Sequence, residues 1–173
     1  IKWGGTIDKF IGDAILVFFG DPNSRGDKED AIACVSMAMD MLEELNKLRI
    51  SWRKKGLAKP LNARMGIHTA VCTVGNFGSE DRLVYTIIGN GVNLASRLEA
   101  KADINKILLS EDTYLLIRNK IICEKKEAIN VKGISYPVQT YEVVKFSQEN
   151  DNLIERNIPG LSLSVDKSEI EDN

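Results

Sequence analysis

The sequence predicts an α+β domain, and three observations carry that class. Short runs that alternate or stay apolar read as strands, one long stretch keeps helical spacing, and glycine-containing breaks separate the two kinds of segment. The 173 residues suffice for one core of domain size. Charge is nearly balanced, 23 basic residues against 25 acidic, so nothing marks a nucleic-acid or anionic-membrane surface. No apolar run approaches the length of a membrane span and no signal-peptide pattern is present, which favours a cytoplasmic domain.

Taken in order, Gly4 to Gly20 reads as a β-hairpin. Its strands are Thr6–Ile11 and Ala14–Phe19, its turn is Gly12-Asp13, and the second strand is expected to be buried on both faces. Asp27 to roughly Lys54 is a long amphipathic helix with Ile32, Val35, Met39, Leu42 and Leu45 as its stripe, ended by Gly56 and Pro60. The cluster Arg53-Lys54-Lys55 suits a helix C-terminus. Asn62 to Phe77 is expected as one long strand, pairing with Arg82–Ile88 through the turn Gly78-Ser79-Glu80-Asp81. A helix follows from Asn90. Ile107–Ser110 is a short strand, Glu111–Asn119 a short helix, and Ile121–Ile129 and Val138–Val144 are closing strands. From Ser147 the chain turns polar and acidic, so residues 1–146 are read as the domain and 147–173 as a tail or linker.

Two segments carry chemistry. In Gly89-Asn90-Gly91-Val92-Asn93-Leu94-Ala95-Ser96-Arg97-Leu98-Glu99, Asn93 and Arg97 stand one helical turn apart on one face. An amide and a guanidinium side by side suit a polyanion. The same residues also suit a solvated face, with Arg97 paired to Glu99. At the hairpin tip, Asp13 is placed to hold a hard cation beside a substrate phosphate, or simply to favour the turn. Asp21, Asp27 and Asp30 fit turn and capping chemistry. The cysteines Cys34, Cys72 and Cys123 lack metal spacing and read as reduced, packed thiols, and His68 as a core or supporting residue.

Together these segments resemble the class III nucleotidyl cyclase catalytic domain, which converts a nucleoside triphosphate to the 3′,5′-cyclic monophosphate and pyrophosphate. The hairpin Gly4–Gly20 and the helix Gly89–Glu99 match that family throughout. Met65-Gly66-Ile67-His68-Thr69, Val74–Ser79, Val131-Lys132-Gly133-Ile134, Pro137-Val138 and Tyr141-Glu142-Val143 match its central and closing strands. The resemblance implies a ferredoxin-like antiparallel sheet with packed helices, lacking the family's first strand and helix. It implies a homodimer with sites at the head-to-tail interface, two Mg²⁺ or Mn²⁺ ions per intact site, and a possible upstream sensor domain.

The resemblance also assigns roles. Asp13 matches the second metal-binding aspartate, Lys9 and Thr86 the pair that reads the purine, Asn93 the ribose-orienting residue and Arg97 the residue that meets the α-phosphate. Lys132 matches more loosely a lysine against the β- and γ-phosphates. Lys9 can only donate, which suits adenine N1, and Thr86 can accept from the 6-amino group. ATP is therefore expected over GTP, for which family members typically carry Glu where Lys9 stands. The Lys/Thr pair resembles the bacterial, soluble-type adenylate cyclase subgroup.

The first metal aspartate of the family lies well upstream, and the chain starts twelve residues before Asp13. The sequence therefore reads as N-terminally incomplete, with weak or no activity as it stands. Ala70 stands where the family commonly has Gly, and Val84 where Asp is common. The expected activity is an adenylate cyclase. The alternatives are a catalytically degenerate dimerising or nucleotide-sensing module and a palm-like dinucleotide cyclase, whose turn signature is absent.

Overall fold

The computed structural model describes residues 2–57, 59, 61–79, 81–131, 133–147, 153–158 and 161–166. The elements run β1 (Thr6–Ile11), β2 (Ala14–Phe18), α1 (Asp27–Lys54), β3 (Met65–Ile67), β4 (Thr73–Ser79), β5 (Arg82–Ile88), α2 (Asn90–Lys101), β6 (Ile107–Ser110), α3 (Glu111–Ile117), β7 (Ile121–Ile129), β8 (Val138–Phe146), β9 (Leu153–Ile158) and β10 (Leu161–Asp166). The class is α+β, as expected.

The framework is a four-stranded sheet in the order β3-β6-β8-β7. Strand β6 is buried at every position, because both faces are covered. Ile107 and Leu109 alternate with Leu108 and so point to opposite sides. One side holds Ala31, Val35 and Ala38 of α1 with Ile117, Ile121, Tyr141 and Val143. The other holds Leu94 and Leu98 of α2 with Ala102, Val131 and Val138. Helix α1 buries mainly its first half; Leu48 and Ile50 near its end are exposed. Asp30, buried in its first turn, accepts from Ser24 Oγ at 2.6 Å and the Arg25 amide at 3.2 Å, tying the preceding loop to the helix.

Four expectations change. The sheet is mixed rather than wholly antiparallel: β3 runs parallel to β6, with Met65 opposite Ile107 and Ile67 opposite Leu109. A parallel neighbour needs a crossover, and β4, β5 and α2 provide it. The single strand expected over Asn62–Phe77 is two, β3 and β4, because residues 68–72 leave the sheet to lie against the start of α2. Strand β2 is not buried on both faces: Ile15 is exposed, Leu16 and Val17 are half-buried, and only Phe18 is buried. The cause is that β1–β2 forms a two-stranded sheet of its own. Within the expected tail, β9 and β10 pair as an antiparallel hairpin. Among the described residues no helix is long and apolar enough to cross a membrane.

Gly66 sets the position of α2. A Cβ on it would lie 2.1 Å from the Glu99 amide nitrogen and 2.3 Å from the Ala95 carbonyl oxygen. The helix backbone therefore rests directly on β3, and only glycine permits that approach. Gly66→Ala should cost at least about 3 kcal/mol, the upper end for an inserted methyl, which is a fall of roughly 6–12 °C in Tm for a chain of this size. Gly75→Ala, whose Cβ would meet only Phe77 at 3.9 Å, should move Tm by no more than about 2 °C. Thermal unfolding of the two variants side by side checks this.

Candidate active site

Helix α2 begins at Asn90, after Gly89. Its buried residues are Leu94 and Leu98, while Asn93 and Arg97, on the flank beside them, are exposed to solvent. Glu99 pairs with Arg64 of the preceding loop at 3.2 Å, not with Arg97. Among the described residues neither Asn93 nor Arg97 has a side-chain hydrogen-bond or ion-pair partner, so both are free to meet a ligand. The N-terminus of α2 packs on residues 68–72. A Cβ on Gly91 would stand 2.8 Å from the Ala70 methyl, and one on Gly89 would stand 2.9 Å from Cys72 Sγ. Ala70 thus fills space that Gly91 leaves empty.

Lys9 and Thr86, 77 positions apart, come together: Lys9 Nζ donates to Thr86 Oγ1 at 2.9 Å. Thr86 is buried on β5, and Lys9 is half-exposed. Gly75 lies opposite Thr86 and puts no side chain on that face. Two further contacts join the hairpins: the Tyr85 hydroxyl donates to the Asp21 carboxylate, and the Phe18 and Tyr85 ring centroids lie 6.5 Å apart. Thr6 Oγ1 ties Asp21 back to β1 by donating to its carbonyl at 2.8 Å.

Asp13 stands exposed at the β1–β2 tip, beside Gly12 at φ +64°. It has no partner among the described residues and is not brought to Asn93 or Arg97 by any hydrogen bond or ion pair. Its carboxylate has the hard oxygens that Mg²⁺ or Mn²⁺ prefers, yet no group of three or more His, Cys, Asp or Glu assembles among the described residues. Magnesium commonly binds through one or two carboxylates plus substrate phosphates. Asp13 therefore fits an ion that is also held by substrate phosphates. Lys132 lies outside the described residues.

The sequence reading passed over Asp8. Its side chain is fully buried beside Lys9, with Oδ2 3.2 Å from Lys9 Nζ. Among the described residues neither carboxylate oxygen has a hydrogen-bond partner, and the close approach to Lys9 lacks hydrogen-bond geometry. The cause is a bulge in β1 between Ile7 and Lys9, which breaks the alternation that would send successive side chains to opposite faces.

His68 packs as expected. Its Nδ1 lies 2.7 Å from Ser110 Oγ, and its side chain is 8% exposed. Thr69 and Thr113 join their hydroxyls at 3.1 Å alongside. Burial pushes the Cys34 thiol up to about 12 and the Cys123 thiol up to about 11, consistent with packed, unreactive cysteines.

Residues 7–145 match the family model of the adenylate and guanylate cyclase catalytic domain. The chain belongs to that family. It is 35% identical over 160 residues to the terminal-differentiation specific adenylate cyclase of Dictyostelium discoideum, a match covering 90% of this chain and 7% of that protein. The chain therefore spans a small part of that relative. The crystal structure of the adenylyl cyclase CyaB from P. aeruginosa superposes with a TM-score of 0.81 at 54% identity, covering 86% of this chain and 76% of that one. That of the guanylyl cyclase Cya2 superposes with a TM-score of 0.78 at 33% identity, covering 86% and 74%. Proteins named for either purine are thus similar to this domain, and the choice of base must be argued from its own residues.

Burial holds His68 below its ordinary pKa of 6.5, and Asp112, 3.7 Å away, offsets this in part. The unfolded chain then takes up the proton first. The His68 contribution to stability is complete above the unfolded value and erodes as pH falls through 6.5 toward the lower folded value. Urea unfolding between about pH 7.5 and about pH 5 should show a steeper loss of stability in the wild type than in His68→Gln. Equal slopes would remove His68 from the pH dependence.

Proposed function

We propose that this chain is the catalytic domain of an adenylate cyclase, converting ATP to 3′,5′-cyclic AMP and pyrophosphate at an interface between two copies. The observation that carries the reading is the contact of Lys9 Nζ with Thr86 Oγ1 at 2.9 Å. It sets one obligate donor beside one hydroxyl that keeps a second lone pair. Adenine offers the complementary edge, an acceptor at N1 and a donor at the 6-amino group. Guanine offers the reverse, and Lys9 has no acceptor for its N1–H.

In this reading Asn93 orients the ribose and Arg97 engages the α-phosphate. The 3′-oxygen attacks the α-phosphorus in line, the bond to the bridging oxygen breaks, pyrophosphate leaves, and the 3′-hydroxyl proton passes to solvent. The protein supplies position and charge rather than covalent chemistry. A guanidinium with no ion-pair partner among the described residues can form its best contacts as charge spreads over the equatorial oxygens. Asp13 is the residue that would hold a divalent ion, whose chemistry when bound is to polarise phosphate oxygens and offset their charge.

The second copy is supported by two features. Among the described residues Asp13 shares no hydrogen bond or ion pair with Asn93 or Arg97 within one chain. The hairpins leave Ile7, Phe10, Ile11, Leu83, Val84 and Ile88 exposed, a surface that suits burial against a partner.

The test is cyclic nucleotide production by the full-length protein from ATP and from GTP with Mg²⁺ or Mn²⁺. Cyclic AMP as the main product is expected. Nucleotide binding and dimerisation without product would instead favour a regulatory module. Arg97→Ala should lower kcat by roughly a hundredfold or more with a small change in KM, because its contact strengthens in the transition state. Lys9→Glu with Thr86→Cys should move the preference toward GTP, and unchanged relative rates would refute the base-reading assignment.

A further inference from the structure

We infer that Asp8 is a positioning residue for base recognition: its buried carboxylate holds the Lys9 ammonium in place against Thr86. The inference rests on the base-reading roles proposed above for Lys9 and Thr86.

Three features meet at this residue. The Asp8 side chain is wholly buried, and among the described residues both of its oxygens lack a hydrogen-bond partner. Its only neighbouring charge among the described ion pairs is Lys9, 3.2 Å away and half-exposed. The two side chains meet because β1 carries a bulge between Ile7 and Lys9, at the position where it faces β5. A buried carboxylate without hydrogen bonds opposes folding, and a bulge gives up ladder pairing. Neither departure serves the framework, and both lie beside the residue that would meet the base. Sites that function commonly carry such local costs.

The arrangement does two things for Lys9. The ammonium is confined between a carboxylate on one side and the Thr86 hydroxyl on the other, so a long flexible stem presents its donor from one place. The charges also cancel locally. An unpaired lysine in the base pocket would attract the triphosphate as strongly as it attracts adenine N1. Paired with Asp8 it competes less for the phosphates with Arg97, which has no ion pair among the described residues, and the nucleotide is drawn in with its phosphates toward α2.

The experiment is steady-state kinetics with ATP and GTP on the full-length protein carrying Asp8→Asn, Lys9→Ala or both, with Tm measured on each. Asp8→Asn keeps shape and removes charge. It should raise KM for ATP roughly tenfold and lower the ATP-over-GTP preference by a similar factor, with kcat little changed. Its Tm should hold or rise, because a buried charge is gone and the exposed Lys9 solvates itself. The double variant should be no worse than Lys9→Ala, as two residues acting through one contact require. Wild-type KM and preference in Asp8→Asn, with Lys9→Ala altered, would overturn the inference and leave the base reading standing. Additive losses, or an Asp8→Asn protein that melts early or fails to fold, would overturn it too. An unchanged preference in Lys9→Ala would refute the base reading itself, and the inference with it.

Discussion

The backbone contact between Gly66 and α2 is the constraint on which the geometry depends. Helix α2 carries Asn93 and Arg97 on a solvent face, and among the described residues neither has a side-chain hydrogen-bond or ion-pair partner that could correct its position. Their placement is therefore inherited from the helix axis. That axis is fixed by the absence of a side chain at Gly66, where the helix backbone would lie 2.1 Å from an added carbon. Leu94 and Leu98 hold the helix down from the other end of the same contact, buried with Leu108 and Val138. The glycines at its start continue the principle, since Gly89 and Gly91 let it sit on Cys72 and Ala70. A helix docked backbone to backbone has little freedom to slide, because close-packed interiors yield only at a cost. Two exposed polar side chains thereby acquire the precision of a core.

The end that holds Lys9 and Thr86 is assembled by different means. Lys9 and Thr86 belong to hairpins that share no sheet. The hydrogen bond from Tyr85 to Asp21 and one aromatic contact between Phe18 and Tyr85 hold them together, with Asp21 itself tied to β1 through Thr6. Such links bear on direction as much as on strength, since hydrogen bonds fail quickly with angle. The result is a rigid end built on α2 and the main sheet, and a second end built on two hairpins with apolar faces open to solvent.

What the sequence made legible follows from periodicity. Helix α1 spans Asp27–Lys54, where its spacing and Gly56 put it, and α2 opens at Asn90 after Gly89. The β1–β2 hairpin has its tip at Gly12-Asp13 for the same reason. The breaks were illegible where pattern continued across them. Apolar residues run on through Ile67, Val71 and Val74, so the departure of residues 68–72 from the sheet leaves no mark on composition. It is imposed by the helix those residues must meet. Strand β2 reads as buried because a run of apolar residues cannot say whether its cover comes from the same chain. The parallel pairing of β3 with β6 depends on a crossover of three elements, which no local window contains. Among the candidate site residues, identities were readable and contacts were not. Lys9 meeting Thr86 spans 77 positions. Asp8 was hidden by ordinary alternation, which sends it away from Lys9, and only the bulge brings it back.

The open hairpin faces bear on why a site of this kind would be divided between two copies. A two-stranded ribbon is marginal in water unless something covers it. Here Phe10 is 67% exposed and Ile11 60% on one hairpin, and Leu83 61% on the other. These side chains flank the residues that would handle nucleotide: Phe10 and Ile11 lie between Lys9 and Asp13, and Leu83 and Val84 precede Thr86. Covering them with a second copy would remove water from around Lys9 and Asp13 in the same step. Charge interactions there would strengthen as the local dielectric falls. The apolar surface that destabilises the single chain would then complete the electrostatic setting for phosphoryl transfer. Association and catalytic competence would be linked by construction, because the groups that need a dry environment sit on the ribbons that need a partner.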